Sequence, residues 1–510
     1  MTQYQLYSTG SNSHGQLALG HDRDSHHYRA VALPEDWRPI DLAFGAQHSL
    51  LLARKHGETA VFVAGSNAAR QVGLGPSEPR LSFQRLELGR LLSPDSSHTA
   101  SAYEVQGIAA CWETSFVHLR RREGPGMEQQ SSDLLLSLGA SDWGERGDGE
   151  AAAGPTPTLV SFAHLTSSSI RIHSLVAGPR HALALLEPFS SAASSPFILV
   201  GWGASRHGQL GSAPSFSSLP KKTVLPQRVY LPSPYTPADI LSSACGKDHS
   251  AILVRSREGK TAVVLMGNSR HGQLGPDTLS SSARESERTR ILAFDDDWRL
   301  TLFPPAPPPS AVKAELHHLG CTWNGTYLAL TRPSPGPSSS SSSSSPAPPC
   351  PDELFAFGLN SHGQLARPPS TLERSAQALP IDFTRPASTQ LLKLACGSEH
   401  LIALLRSTLP EHNEDDEEGE EEVWAWGWNE HGNLGLGMTE DVWAPRKVAL
   451  AGSVLGRDGT AGEGEEGEGE GRKRGERRGR RRRRRVVEVW AGNATSWILV
   501  AEEGEQARED

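Results

Sequence analysis

The chain has 510 residues, a formal net charge of −9, 37% hydrophobic residues, 50 glycines and 36 prolines. A net acidic charge argues against a general polyanion binder, and the glycine- and proline-rich composition fits short strands with long loops. The opening MTQYQLYSTG has no signal-peptide pattern and no apolar run approaches the roughly 18 residues of a membrane helix, so the protein is expected to be soluble, cytoplasmic or also nuclear.

Two motifs alternate along the chain. An apolar run at Leu6–Ser8 leads into GSNSHGQLA from Gly10, and LAFGAQHSLLL follows from Leu42. Val61–Ala64 leads into GSNAARQVG from Gly65, with Arg70 at the place of the second glycine, and IAACWETSFVHL follows from Ile108. Leu134–Leu138 precedes GASDWGERG, then LVAGPRHALAL from Leu175; Ile198–Trp202 precedes GASRHGQLG, then SACGKDHSAIL from Ser243. Val263–Met266 precedes GNSRHGQLG, then LGCTWNGTYLAL from Leu319; Leu354–Phe357 precedes GLNSHGQLA, then LACGSEHLIAL from Leu394. Val423–Trp426 precedes GWNEHGNLG, and VWAGNATSWILV from Val489 closes the series.

Each motif therefore occurs seven times, the signature of a repeat architecture. The first reads as a short strand and a loop whose glycines turn through positive φ, with Gln-Leu bonding the turn and dropping one apolar side chain inward. The second reads as strand, tight turn, strand. About four antiparallel strands per unit, seven times over, predict an all-β, seven-bladed propeller without long unprotected edges. The last unit lacks the strand that precedes GxNxxGQL and the N-terminus has one to spare. Tyr4–Ser8 is therefore expected to complete the final blade and close the ring.

One propeller is expected over residues 1–502, with a disordered Ser/Pro insertion at 333–351, an acidic loop at 409–422, an acidic then basic insertion at 457–485 and a tail at 503–510. Arg120–Asp133 and Ser280–Arg290 read as solvated connectors. The basic run Arg472–Arg485 is either a solvated loop neutralised by its acidic neighbours or a nuclear-import or RNA-contacting patch.

Of five cysteines, Cys111, Cys245 and Cys396 are read at one slot just before the turn and Cys321 one residue away, while Cys350 lies in the Ser/Pro stretch. Equal slots in different blades lie apart around a ring, and no CxxC or Cys/His ligand spacing occurs, so neither disulfide, metal nor cofactor is expected. His48, His181, His249 and His400 recur in the second motif, and His14, His207, His271, His362 and His431 in the first. Their periodicity, with no nucleophile or carboxylate at constant offset, assigns them to structure and leaves no catalytic constellation.

The paired motifs GxNxxGQLG and AxGxxHxxxL resemble the repeats of the regulator of chromosome condensation, a seven-bladed propeller. SNSHGQLALGHDRD, ACWETSF at Ala110–Phe116 and AWGWNEHGNLGLG at Ala425–Gly437 resemble, within that group, the fungal alpha-tubulin-suppressor or killer-toxin-insensitivity proteins and an animal secretion-regulating relative. That resemblance implies a monomeric, non-catalytic scaffold. Its partner would be a small metal-carrying electron donor protein of diphthamide synthesis on elongation factor 2, with Elongator-dependent tRNA wobble-uridine modification as a second role. The wider resemblance implies an alternative, a guanine-nucleotide exchange factor for a small GTPase. Membrane and direct nucleic-acid binding are not expected.

Contact residues are expected where the repeat is broken. Trp112 and Trp323 are read at the turn-glycine slot, with Ser115 and Thr326 at the histidine slot; Trp428, Glu430 and His431 decorate the seventh loop, and Trp443 follows it. With Glu113 beside Trp112, these form the expected partner-binding set, since tryptophan buries much area at little entropic cost.

Overall fold

A computed structural model describes residues 2–34, 36–73, 75–92, 100–122, 132–149, 157–189, 196–211, 219–275, 289–293, 315–331, 353–369, 374–381, 383, 389–407, 421–449 and 483–503. The Ser/Pro insertion at 333–351 and most of the expected acidic and basic insertions lie outside them.

The described chain forms seven four-stranded antiparallel sheets. Blade 1 shows the plan: Arg38–Phe44, His48–Lys55, Glu58–Gly65 and Arg80–Arg85 run from the axis outward. The inner strands of blades 2 to 7 are Tyr103–Ala110, Ile170–Ala177, Ile240–Cys245, Glu315–Cys321, Thr389–Cys396 and Arg483–Ala491. Helix among the described residues is limited to the α-helical turn Leu88–Leu91 and the 3-10 turns Ala100–Ala102 and Pro237–Asp239.

Sequence pattern follows position in the blade. Second and third strands such as His48–Lys55 and Glu58–Gly65 are buried over nearly their whole length, because each blade packs on both neighbours. The outer strand Arg80–Arg85 buries only Phe83. Aromatic side chains bridge blades: Trp202 of blade 3 meets Phe116 of blade 2 edge-on at 5.7 Å and is fully buried.

Blade 7 is built from both ends of the described chain. Arg483–Ala491 and Thr495–Glu503 are joined by Thr2–Gly10 and Ser25–Ala30. Thr2–Gly10 pairs with Thr495–Glu503 from Thr2 opposite Glu503 to Gly10 opposite Thr495. The first GSNSHGQL loop thus belongs to the last blade.

Three segments read as solvated contribute ordered residues. Glu421 and Glu422 begin the third strand of blade 6, where Arg406 holds Glu421 at 3.1 Å and Lys447 holds Glu422 at 2.7 Å. Arg483–Arg485 begin the inner strand of blade 7, and Arg484 pairs with Glu502 at 2.7 Å. Asp133, read as part of a surface connector, is 5% exposed and accepts from His118, Arg120 and the Ile172 N–H. Burial alone would raise its pKa; these donors outweigh it and hold the carboxyl at about 2.

Candidate functional site

The ladder pairs Gly427 with His400, Gly267 with His249, Gly203 with His181 and Gly65 with His48. Both repeated motifs therefore turn at the same end of the ring. The first motif is a self-bonded loop. Gln16, Gln71, Gln209, Gln273 and Gln364 each accept, through Oε1, from the N–H two residues earlier, at 2.8–3.0 Å. Asn12, Asn67, Asn360 and Asn429 accept from the N–H five residues later. The residues that follow, leucines and Val72, are buried, so these glutamines and asparagines are scaffold. Arg70 takes the left-handed conformation, φ 64°, that glycine supplies in most other loops, a strain of about 1–2 kcal/mol.

In the second motif, glycine and histidine require one another. A Cβ on Gly45 would overlap His48 Cε1, and Gly246 and Gly397 stand in the same relation to His249 and His400. Each histidine is buried and reaches the next blade: His48 to Ser115 at 2.9 Å, His181 to Ser250 at 2.8 Å, His249 to Thr326 at 3.1 Å and His400 to Ser496 at 3.1 Å. Burial lowers the imidazole pKa to about 3 for His48 and His181 and about 4 for His249 and His400, so all four are neutral locks between blades.

This geometry corrects the slots read from sequence by one residue. The turn closes from Cys111 N–H to Thr114 O in blade 2 and from Thr322 N–H to Gly325 O in blade 5, as from Gly45 N–H to His48 O. Trp112 and Trp323 thus occupy the place of Ala46, after the glycine slot. Thr114 and Gly325 hold the histidine slot, and Ser115 and Thr326 are the hydroxyls that the preceding blade's histidine meets. Cys245, Cys321 and Cys396 are equivalent by ladder register, opposite Ser250, Thr326 and Leu401, and Cys111 is the one displaced. An insertion-free alignment of letters cannot see which residue closes the turn.

The turns meet around the axis. Ala46 N–H donates to Trp112 O at 2.8 Å, Trp112 to Pro179 O at 2.9 Å, Lys247 to Trp323 O at 2.9 Å, Trp323 to Ser398 O at 2.8 Å and Ser398 to Gly492 O at 3.1 Å. Asn493 Nδ2 closes the circle on Ala46 O at 3.0 Å. The gap between blades 3 and 4 falls at Pro179, which has no N–H. Beneath lies a channel cavity of about 370 Å³, lined in part by Cys111, Cys245, Cys321 and Cys396. Burial raises all four thiol pKa values, which keeps them protonated and unreactive. Among the described residues, no group of three or more His, Cys, Asp or Glu side chains is placed to hold a metal.

Trp112 and Trp323, from blades 2 and 5, reach across the axis and meet with ring centroids 5.5 Å apart. Trp112 is 41% exposed, so the pair caps the channel rather than filling a core. Glu113 is exposed beside it. On the rim, Trp428 is half-buried, 5.5 Å from the His431 ring and 6.2 Å from that of His362. His431 pairs with Asp24 and His362 with Asp441, each at 2.8 Å across a blade boundary. Trp443 packs over Gly363 of blade 5, and Glu430 is exposed. The seven expected residues thus share one end but form two groups.

Glu399, which sequence reasoning passed over, joins them. Its carbonyl accepts from Trp428 N–H at 2.9 Å, and its carboxylate accepts from Asn324, next to Trp323, at 2.9 Å and from Gln364 at 2.7 Å. Burial outweighs these bonds and pushes its pKa up to about 7. Also missed was Trp143, on whose ring Arg180 and Arg206 stack at 5.1 and 5.3 Å. The signal was a tryptophan and two arginines at turn positions of adjacent repeats.

Residues 200–253, 352–404 and 420–457 match the model of the Regulator of chromosome condensation (RCC1) repeat. The first two matches each run from the third strand of one blade into the second strand of the next, so the sequence repeat straddles structural blades. The chain is 24% identical over 468 residues to the secretion-regulating guanine nucleotide exchange factor of Bos taurus, covering 88% of this chain and 79% of the relative. Its Mus musculus counterpart is 24% identical over 471 residues, covering 87% and 78%. Among solved structures, yeast RCC1 (Prp20) bound to Kap60 aligns with TM-score 0.62 at 16% identity, covering 99% and 90% of the two chains. Prp20p from Saccharomyces cerevisiae, described with its binding to Gsp1p and histones, aligns with TM-score 0.60 at 16% identity, covering 98% and 92%. The chain thus carries RCC1 repeats on an RCC1-like seven-bladed propeller. The expected role in diphthamide synthesis and Elongator-dependent tRNA modification, with a metal-carrying electron donor protein as partner, is overturned by the names of the Bos taurus and Mus musculus relatives, both guanine nucleotide exchange factors.

Proposed function

We propose that this chain is a guanine-nucleotide exchange factor, or a regulator, of a small GTPase. It makes and breaks no covalent bond: an exchange factor acts by binding the nucleotide-free GTPase more tightly than the loaded one, so bound nucleotide leaves by linkage. Exchange-factor relatives aligned along most of the chain support this reading.

The docking face is the end where both motifs turn, and the observation that carries this is the Trp112–Trp323 pair, a half-exposed aromatic cap on a hydrogen-bonded ring of turns. Rigid exposed tryptophans at the centre of a face are typical binding anchors. Ala293, Glu315, Thr331, Glu353 and Arg483 sit at the opposite end of their blades from this face.

The test is release of fluorescent GDP from a panel of purified small GTPases, Gsp1p included. Accelerated release of at least about tenfold from one of them is expected, reduced by Trp112→Ala and by Trp323→Ala through a binding loss of about 1–3 kcal/mol each. No acceleration, together with no capture of any nucleotide-free GTPase, overturns the reading.

A further inference from the structure

The residue before the histidine slot of the turn is Gln47 in blade 1, Asn324 in blade 5 and Glu399 in blade 6. Neutral amides serve that place in two blades, so the ring of turns does not need an acid there. Glu399 is 7% exposed, and among the described residues its carboxylate accepts from two amides and pairs with no cation. The charged groups that act on it from the packed elements are His362 of the blade 5 loop, itself paired with Asp441, and Lys247 of the blade 4 turn, which lies over Trp323. Blade 7 meets the turn with Gly492 and Ala494, which carry no charge. On its own blade lie Trp428, then exposed Glu430 and the pair of His431 with Asp24. Burial of a carboxylate without a counter-ion opposes the charge, and uptake of one proton relieves it.

The acid form must donate its new O–H, and the two amides are not equal in how they can respond. Gln364 is fixed at both ends: Nε2 donates to Glu399 Oε2 at 2.7 Å, while Oε1 accepts from His362 N–H at 2.8 Å. Asn324 is fixed at one end only. Its Nδ2 donates to Glu399 Oε1 at 2.9 Å, and its Oδ1 has no hydrogen bond among the described residues. Asn324 is half-buried and follows Trp323 of the aromatic cap, so its free end belongs to the turn face. We propose that Glu399 and Asn324 form a proton-operated switch that sets the hydrogen-bond polarity of this face beside Trp323. The carboxylate holds Asn324 with its oxygen outward; the acid turns the amide, so that oxygen accepts the Glu399 O–H and the NH2 group faces outward. The switch rests on the reading above only for the use of this face in docking. A partner group that donates to the outward oxygen binds the carboxylate form, and its affinity falls as the proton is taken up.

The experiment uses the full-length free chain labelled with 15N-asparagine, titrated from about pH 8.5 to about pH 5.5. The side-chain amide resonance of Asn324 is identified by its absence in Asn324→Ser. It should show a one-proton transition with a midpoint of about 7. The nuclear Overhauser contact from its Nδ2 protons to the Glu399 γ-methylene should be present at the alkaline end and lost at the acid end. Glu399→Gln should abolish the transition, His362→Gln should retain it, and thermal melts should show the variants folded. An Asn324 amide that does not titrate, or one that shifts while keeping the contact, overturns the proposal. So does a transition that survives in Glu399→Gln or vanishes in His362→Gln. Because no GTPase is present, a negative result leaves the exchange reading standing, and failure of GDP release leaves the switch standing.

Discussion

His181 Nε2 lies 2.8 Å from Ser250 Oγ, and the same hydroxyl donates to Gln209 O at 2.7 Å. Ser250 belongs to blade 4; both its partners belong to blade 3. Since the hydroxyl proton goes to the carbonyl, the imidazole must donate through Nε2–H, which leaves Nδ1 as a bare lone pair, and Nδ1 has no hydrogen-bond partner. His249, Thr326 and Gln273 repeat the arrangement between blades 4 and 5 at 3.1 and 2.8 Å.

Ser250→Ala should therefore strand a buried donor and a buried acceptor together. A loss of about 1–3 kcal/mol is expected from urea unfolding, more than an isolated hydrogen bond contributes. Ser250→Thr, which keeps the hydroxyl, should recover most of it; no difference between the two variants would show that the clamp contributes nothing.

Acid should weaken the ring. His48, His181, His249 and His400 have folded pKa values of about 3 to 4, against 6.5 for an ordinary histidine. Between those limits the unfolded state binds more protons, so stability falls as pH drops below about 6.5. Glu399 and Glu145, each raised by burial to about 7, act in the opposite sense. Their folded forms take up protons first, which adds stability as pH falls from 7 to 4.5. Four histidines against two carboxylates give a shallow net loss down to about pH 4.5 and a steeper one below it. Unfolding curves at pH 7.5, 5.5 and 4.0 would show that change of slope; stability that rises down to pH 4 would refute the assignment.

Gly45→Ala should cost about 1–3 kcal/mol, since the new methyl meets the His48 ring. In a His48→Thr background the added cost should shrink, because blade 2 already accommodates Cys111 with Thr114 at these two positions. A double-mutant cycle on thermal melts measures the coupling, and strict additivity would contradict it.

Deleting residues 1–10 should open blade 7 along Thr495–Glu503, leaving a nine-residue strand edge unpaired. The expected result is a large drop in melting temperature with concentration-dependent aggregation, checked by light scattering. A truncated chain that stays monomeric with an unchanged melt would mean that ring closure is dispensable.

The sequence by itself determined the fold. Seven loops of the GxNxxGQL type, two of them eroded, and seven strand–turn–strand motifs, four of them with the GxxH turn, state blade number and strand order, because each motif's hydrogen bonds close within a few residues and so survive as a local pattern. The spare strand at Tyr4–Ser8 even showed how the ring closes. Only the tertiary structure decided what the irregular residues do. Trp112 and Trp323 are 211 positions apart in the chain yet touch across the axis, and Asp133 is buried because His118, Arg120 and Ile172 converge on it from two blades. Glu399 looks like any turn residue until Asn324 and Gln364 of the preceding blade enclose it. These contacts cross blade boundaries, where partners are set by the closure of the ring and not by neighbourhood in the chain, so no repeat-by-repeat reading contains them.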